Sequence, residues 1–127
     1  MAIQNILIVD DSPTERYYLT DILVRNGFTV TTAENGEEAL AQIKAQKPQL
    51  ILMDVVMPGA NGFQVTRSIA RDPDLANVPI IICSSKNQET DRIWGLRQGA
   101  RGYLVKPVDP QALLDKIATL GSTLGAA

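Results

Sequence analysis

Five short apolar runs punctuate the chain, each followed by a longer stretch with helical spacing. The runs cover residues 6–9, 28–32, 50–53, 80–83 and 102–105. Four of them are nearly continuous in apolar character, as strands buried on both faces must be. The run 28–32 instead alternates, setting Phe28 and Val30 against threonines, and this predicts an edge strand.

The intervening helices are marked at their ends. Ser12-Pro13-Thr14-Glu15 has the form of a capping box with proline at the first helical position, and Gly27 stands where that helix should stop. Leu19, Ile22 and Leu23 give it an apolar stripe. A second helix, 36–46, is expected to carry Leu40 and Ile43 inward and to end at Lys47-Pro48. The third, 63–71, pairs Val65 with Ile69 before Asp72-Pro73. The fourth, 88–98, is weak: Ile93 is its only β-branched aliphatic residue, Trp94 stands beside it, and Gly95 interrupts it. Asp109-Pro110 starts the last, with Leu113, Leu114, Ile117 and Leu120 as its stripe.

A strict alternation of strand and helix implies an α/β fold with a five-stranded, parallel, doubly wound sheet. Residues 1–121 read as one domain and 122–127 as a flexible tail, with no output module.

Composition narrows the chemistry. Of 127 residues, 45% are hydrophobic and 20% charged, which excludes global disorder. No apolar run exceeds four residues, so membrane insertion, which needs about 20, is not expected. Twelve basic against fourteen acidic residues leave a net charge of −2 with no basic block, a poor match to nucleic acid. There is no histidine, so the chain can build neither a histidine-based catalytic couple nor a histidine-bearing zinc site. The lone Cys83 permits no internal disulfide and fits a reducing compartment, here a cytoplasmic one.

In open α/β sheets, ligands bind beyond the carboxyl ends of the strands. Those ends carry Asp10-Asp11, Asp54, Ser84-Ser85 and Lys106. Singly, such residues usually cap helices or close turns. Together, three acids in one crevice repel one another unless a cation neutralises them. An oxygen-only donor set favours a hard divalent ion such as Mg²⁺, which commonly bridges carboxylates and phosphate oxygens. A carboxylate can itself accept a phosphoryl group, with a metal and a lysine balancing the developing charge. Asp54, central in the sheet, is the best nucleophile, and Asp10 and Asp11 are better placed to hold metal.

Ile8-Val9-Asp10-Asp11-Ser12, Leu52-Met53-Asp54-Val55-Val56-Met57-Pro58-Gly59 and Tyr103-Leu104-Val105-Lys106-Pro107 resemble the CheY-like receiver domain of two-component response regulators. The resemblance covers about residues 4–120. Within that family, 11–15, 86–91 and 94–100 are similar to the stand-alone regulators of twitching motility. The resemblance implies a flavodoxin-like sheet of order 2-1-3-4-5 and no enzymatic turnover beyond Mg²⁺-dependent self-phosphorylation and autodephosphorylation. It implies Asp54 as phospho-acceptor. Mg²⁺ (or Mn²⁺) would be held by Asp11, Asp54 and the backbone carbonyl of Val56, with Asp10 acting through a bound water. Lys106 and Ser84 would bind phosphoryl oxygens, Tyr103 would rotate inward as Ser84 moves, and the Lys106–Pro107 bond would be cis. Val56 and Lys86 depart from common family choices, an apolar and a cationic residue at positions that tune dephosphorylation. The implied partners are a CheA-like histidine kinase or Hpt domain and a downstream protein, with a phosphatase as a further candidate. The chain itself would be a monomer or weak phosphorylation-dependent dimer; a phosphate-sink role is the alternative to a downstream target.

Two other readings fit less well. A haloacid-dehalogenase-type phosphohydrolase wants Asp-x-Asp after strand one and a cap domain. A flavodoxin-like nucleotide binder wants a glycine cradle there, and Ser12-Pro13 supplies none.

Overall fold

The computed structural model describes residues 3–125, with side chains through residue 121. The strands are β1 (Asn5–Val9), β2 (Thr29–Ala33), β3 (Leu50–Met53), β4 (Ile80–Ser84) and β5 (Gly102–Val105). The helices are α1 (Pro13–Arg25), α2 (Gly36–Ala45), α3 (Gly62–Arg71), α4 (Glu89–Arg97) and α5 (Pro110–Gly125). The sheet is parallel throughout, in the order β2-β1-β3-β4-β5. Val9 lies opposite Ala33 on one side and Met53 on the other, Met53 opposite Ile82, and Ser84 opposite Val105. That register brings Asp10, Asp54, Ser84 and Lys106 to one edge.

Strand alternation divides the buried side chains between two cores. Leu7, Val9, Ile51, Met53, Ile80 and Ile82 face Ala39 and Ile43 of α2 and Val65 and Ile69 of α3. Ile6, Ile8, Leu50, Leu52, Ile81 and Cys83 face Leu19 and Leu23 of α1 and Leu113 and Ile117 of α5. Each fully buried aliphatic side chain contributes about 1.5–3 kcal/mol, so the three central strands hold the rim residues on a stiff base.

The edge position of β2 agrees with its alternating pattern, and Phe28 and Val30 pack against the α1/α5 core. Gly27 follows the α1 C-cap with φ +89°, a conformation glycine adopts without steric cost.

Several local expectations are corrected. Leu40 is exposed; Ala39 and Ile43 fill the inward face of α2, one residue displaced from the expected stripe. At α1 only half the capping box forms. Ser12 Oγ accepts from the Glu15 N–H at 3.2 Å, but the Ser12 N–H donates to Asp10 Oδ1 at 2.9 Å. A complete box forms at α3, where Asn61 and Gln64 exchange bonds of 3.0 and 2.9 Å. Helix α5 continues to Gly125, into the stretch expected as a loose tail, because extending an existing helix needs no new nucleus. Residues 126–127 of that stretch lie outside the described residues.

Candidate functional site

Asp10 follows β1 and is 1% exposed; Asp54 follows β3 and is 7% exposed. Asp11, next in sequence to Asp10, is exposed. One carboxylate oxygen from each of the three lies within 4.8 Å of the others. The Lys106 ammonium donates to Asp10 Oδ2 at 2.8 Å and to Asp54 Oδ1 at 3.1 Å. The Lys106–Pro107 peptide bond is cis.

Burial raises the Asp54 pKa above its ordinary value and the Asp10 charge raises it further, with Lys106 pulling the other way. Burial disfavours the charged form of Lys106, but the hydrogen bond and charge of Asp10, with those of Asp54, leave its pKa raised overall. The site is therefore short of positive charge: one ammonium serves two buried carboxylates, and a third carboxylate stands at the mouth. An all-oxygen donor set of this spacing suits a hard divalent cation, so Asp10, Asp11 and Asp54 are the residues that could hold Mg²⁺.

Ser84 ends β4 and is 1% exposed, and its Oγ accepts from the Lys86 N–H at 3.1 Å. The carbonyl of the same Lys86 accepts from the Tyr103 hydroxyl at 2.8 Å. Tyr103 packs against the α2/α3 core, and its partial burial raises the phenol pKa while the neighbouring Ser84 hydroxyl lowers it. The ring is thus partly buried, with its hydroxyl tied through Lys86 to Ser84. The Lys86 and Val56 side chains are both exposed, Val56 on the turn that follows Asp54.

Two contributors escaped the sequence reading. A Cβ on Gly62 would sit 1.9 Å from the Asp54 carbonyl oxygen, and the Gly62 N–H donates to the Val55 carbonyl at 2.8 Å. The first turn of α3 therefore presses on the backbone of Asp54, which only glycine permits. The signal available was a glycine at a helix start beside Asn61. Arg16 donates from Nη1 to the Asp10 carbonyl at 2.7 Å and from Nη2 to Glu34 at 3.2 Å, bracing Asp10 from behind. Nothing in its spacing marks it, because Glu34 is remote in sequence.

Comparison with known proteins agrees with this geometry. Residues 6–118 match the response regulator receiver domain. Over 112 residues the chain is 54% identical to protein PilH of Pseudomonas aeruginosa, covering 88% of this chain and 93% of that one. Transcriptional regulators among its relatives are matched over about half their own length. A putative response regulator from Chloroflexus aurantiacus superposes with a TM-score of 0.90 at 32% identity, covering 94% of this chain and 98% of that one. Chemotaxis protein CheY4 of Vibrio cholerae gives 0.86 at 31% identity, covering 94% and 99%. The chain belongs to the response regulator receiver domain family and has a phosphorelay role.

Proposed function

We propose that Asp54 accepts a phosphoryl group from a histidine kinase, CheA-like, or an Hpt domain, and that the face of α4, β5 and α5 then changes to control a protein partner. The observation that carries this is the Lys106 ammonium set between two buried carboxylates, 3.1 Å from Asp54. An oxygen of Asp54 attacks phosphorus, the donor's bond to phosphorus breaks with its electron pair, and an acyl phosphate forms. Asp11, Asp54 and the Val56 carbonyl are the proposed metal donors, with Asp10 acting through water. Mg²⁺, or Mn²⁺, supplies charge neutralisation and orientation for the phosphoryl oxygens when bound. Lys106 takes one phosphoryl oxygen, and Ser84 exchanges its bond from the Lys86 N–H for donation to another.

Phosphorylation adds about −1.5 to −2 charges and three strong acceptors. Turning a two-state protein from 1:99 to 99:1 takes about 5.5 kcal/mol, and two charge-assisted hydrogen bonds at about 1.5–3 kcal/mol each come within reach of it. Ser84, Lys86 and Tyr103 form the proposed transmission line, and exposed Val56 and Lys86 beside the acceptor tune loss of the phosphoryl group. Likeness to PilH supports a place in bacterial twitching motility or taxis, with cytoplasmic work. Among the described residues no helix is long and apolar enough to cross a membrane.

The test is acetyl phosphate with Mg²⁺ followed by intact-mass measurement. The wild type should gain one increment of ~80 Da and Asp54→Asn none. Equal labelling of both, or labelling of neither, overturns the assignment.

A further inference from the structure

Between the first halves of α2 and α3 lies a cleft of about 580 Å³, walled by Glu37 and Leu40 of α2, Pro58 and Gly59 of the segment after β3, and Val65 and Ser68 of α3. The two helices are held together at that end, because a Cβ on Gly36 would lie 2.6 Å from Val65 Cγ2. Leu40 forms the α2 edge of the cleft, and Ala41 beside it is exposed too. Glu37 stands one turn before this apolar pair and Lys44 one turn after it, both exposed. Three and four positions inward along the helix from either charge come the same two residues, Leu40 and Ala41, so neither charge meets its opposite there. Among the described residues no ion pair or side-chain hydrogen bond engages Glu37 or Lys44. No cation lines the cleft. Arg67 shares the flank of α3 that carries Phe63, and Phe63 meets Gly95 of α4 instead.

We propose that this face pairs two copies of the chain, α2 against α2 in antiparallel, about a two-fold axis passing between Leu40 and Ala41. The midpoint of Glu37 and Lys44 falls between those two residues. The axis therefore sets Glu37 of each copy opposite Lys44 of the other, one self-complementary patch used twice. With about 1.5 Å of rise per residue, the two ion pairs stand about 10 Å apart. The stem of the second copy's Lys44 lies over the cleft, where Leu40 and Pro58 cover it while Glu37 takes the ammonium. Charge complementarity selects this occupant. The cleft offers an acid beside an apolar wall, and α2 itself presents a cation one turn from an apolar pair. Antiparallel packing also brings the acidic first turn of one α2, Glu37 and Glu38, toward the basic last turn of the other, an order that the helix dipoles favour. Parallel pairing would set like charges together. The patch is small, so the association is weak and sensitive to salt. It lies on α2 and α3, apart from the face of α4, β5 and α5, and needs no phosphoryl group.

The test is sedimentation equilibrium of the full chain at concentrations up to about 1 mM, at low and at high salt. A dimer should appear within that range and recede as salt is added. Glu37→Lys and Lys44→Glu should each weaken association about tenfold. The double variant should recover it to within about threefold, because exchanging the two charges restores both pairs in the opposite sense. Cross-linking supplies a second measurement. Ala41→Cys places a thiol beside the axis and should form an interchain disulfide under mild oxidation, whereas Arg97→Cys on α4 should not; the native Cys83 is enclosed and stays out of the reaction. A dimer indifferent to the charge variants, a double variant no better than the single ones, or equal cross-linking at positions 41 and 97 overturns the inference. A chain that stays monomeric at millimolar concentration also overturns it, and leaves the cleft to a different protein.

Discussion

The Lys106 ammonium lies closer to Asp10 than to Asp54, 2.8 Å against 3.1 Å, although Asp54 is the proposed nucleophile. The lysine thus serves first as counter-ion to the most deeply buried carboxylate of the cluster. Removing it in Lys106→Met should leave Asp10 and Asp54 without a cation and cost about 3 kcal/mol of stability in metal-free buffer. Saturating Mg²⁺ should return part of the loss. Urea denaturation with and without Mg²⁺ measures both effects.

Asp54→Asn should act in the opposite sense. Burial and the charge of Asp10 raise the Asp54 pKa in the folded state. Ionised Asp54 therefore disfavours folding, and stability falls as pH rises from its unfolded value of about 4 through the raised folded value. The asparagine variant should be more stable by about 1 kcal/mol at neutral pH, with the gain shrinking toward pH 4. It should also respond less to Mg²⁺. Thermal melts across pH 4 to pH 8 provide the comparison.

Tyr103→Phe removes the bond to the Lys86 carbonyl and nothing else that the structure places on that hydroxyl as donor. The cost should be about 1 kcal/mol, with uptake of the phosphoryl group retained. In the wild type, ultraviolet titration should show a Tyr103 component ionising above the ordinary value, and that component should vanish in the variant.

Gly62→Ala places a methyl group against the Asp54 carbonyl, where backbone and not a pliable side chain would have to yield. A loss of about 3 kcal/mol is expected, from the overpacking of a site that cannot relax. Gly102→Ala makes a less severe contact, 2.6 Å from the flexible end of Lys116, and should be nearly neutral in the same denaturation assay.

Cys83 is fully enclosed in the α1/α5 core, and burial pushes its thiol up to about 12. The folded protein should resist a disulfide-exchange reagent at pH 8, and one equivalent of thiol should appear on adding denaturant. Rapid reaction in native buffer would contradict the packing of β4 against α5.

Much of this architecture was visible in the chain because the strands are so uniformly apolar. Runs such as Ile6 to Val9 and Ile80 to Cys83 admit no other placement than burial on both faces, and the residue after each then falls on the rim. Asp10, Asp54, Ser84 and Lys106 were legible for that reason. Leu40 was misplaced because α2 is alanine-rich: with Ala39 and Ala41 flanking it, the bulkier leucine looked like the inward residue, yet close packing on β1 and β2 favours the smaller side chain. The contacts of Gly62, Arg16 and Lys116 depend on distances between elements far apart in sequence, and no local pattern encodes them. Gly95 looked like a weakness in α4; it is the point where Ile82, Phe63 and Tyr103 converge, 2.9 to 3.4 Å from where a methyl group would stand, so that those side chains would have to shift to admit one.

The backbone at Asp54 is clamped from two sides, its N–H held by the Val9 carbonyl at 2.9 Å and its own carbonyl roofed by Gly62. The proposed acceptor is in effect an anvil. On that reading a group delivered onto it would not be accommodated by recoil of β3, and the strain of its arrival would be discharged sideways, through the segments that leave β4 and β5. Signal direction would then be built into the scaffold before any partner arrives.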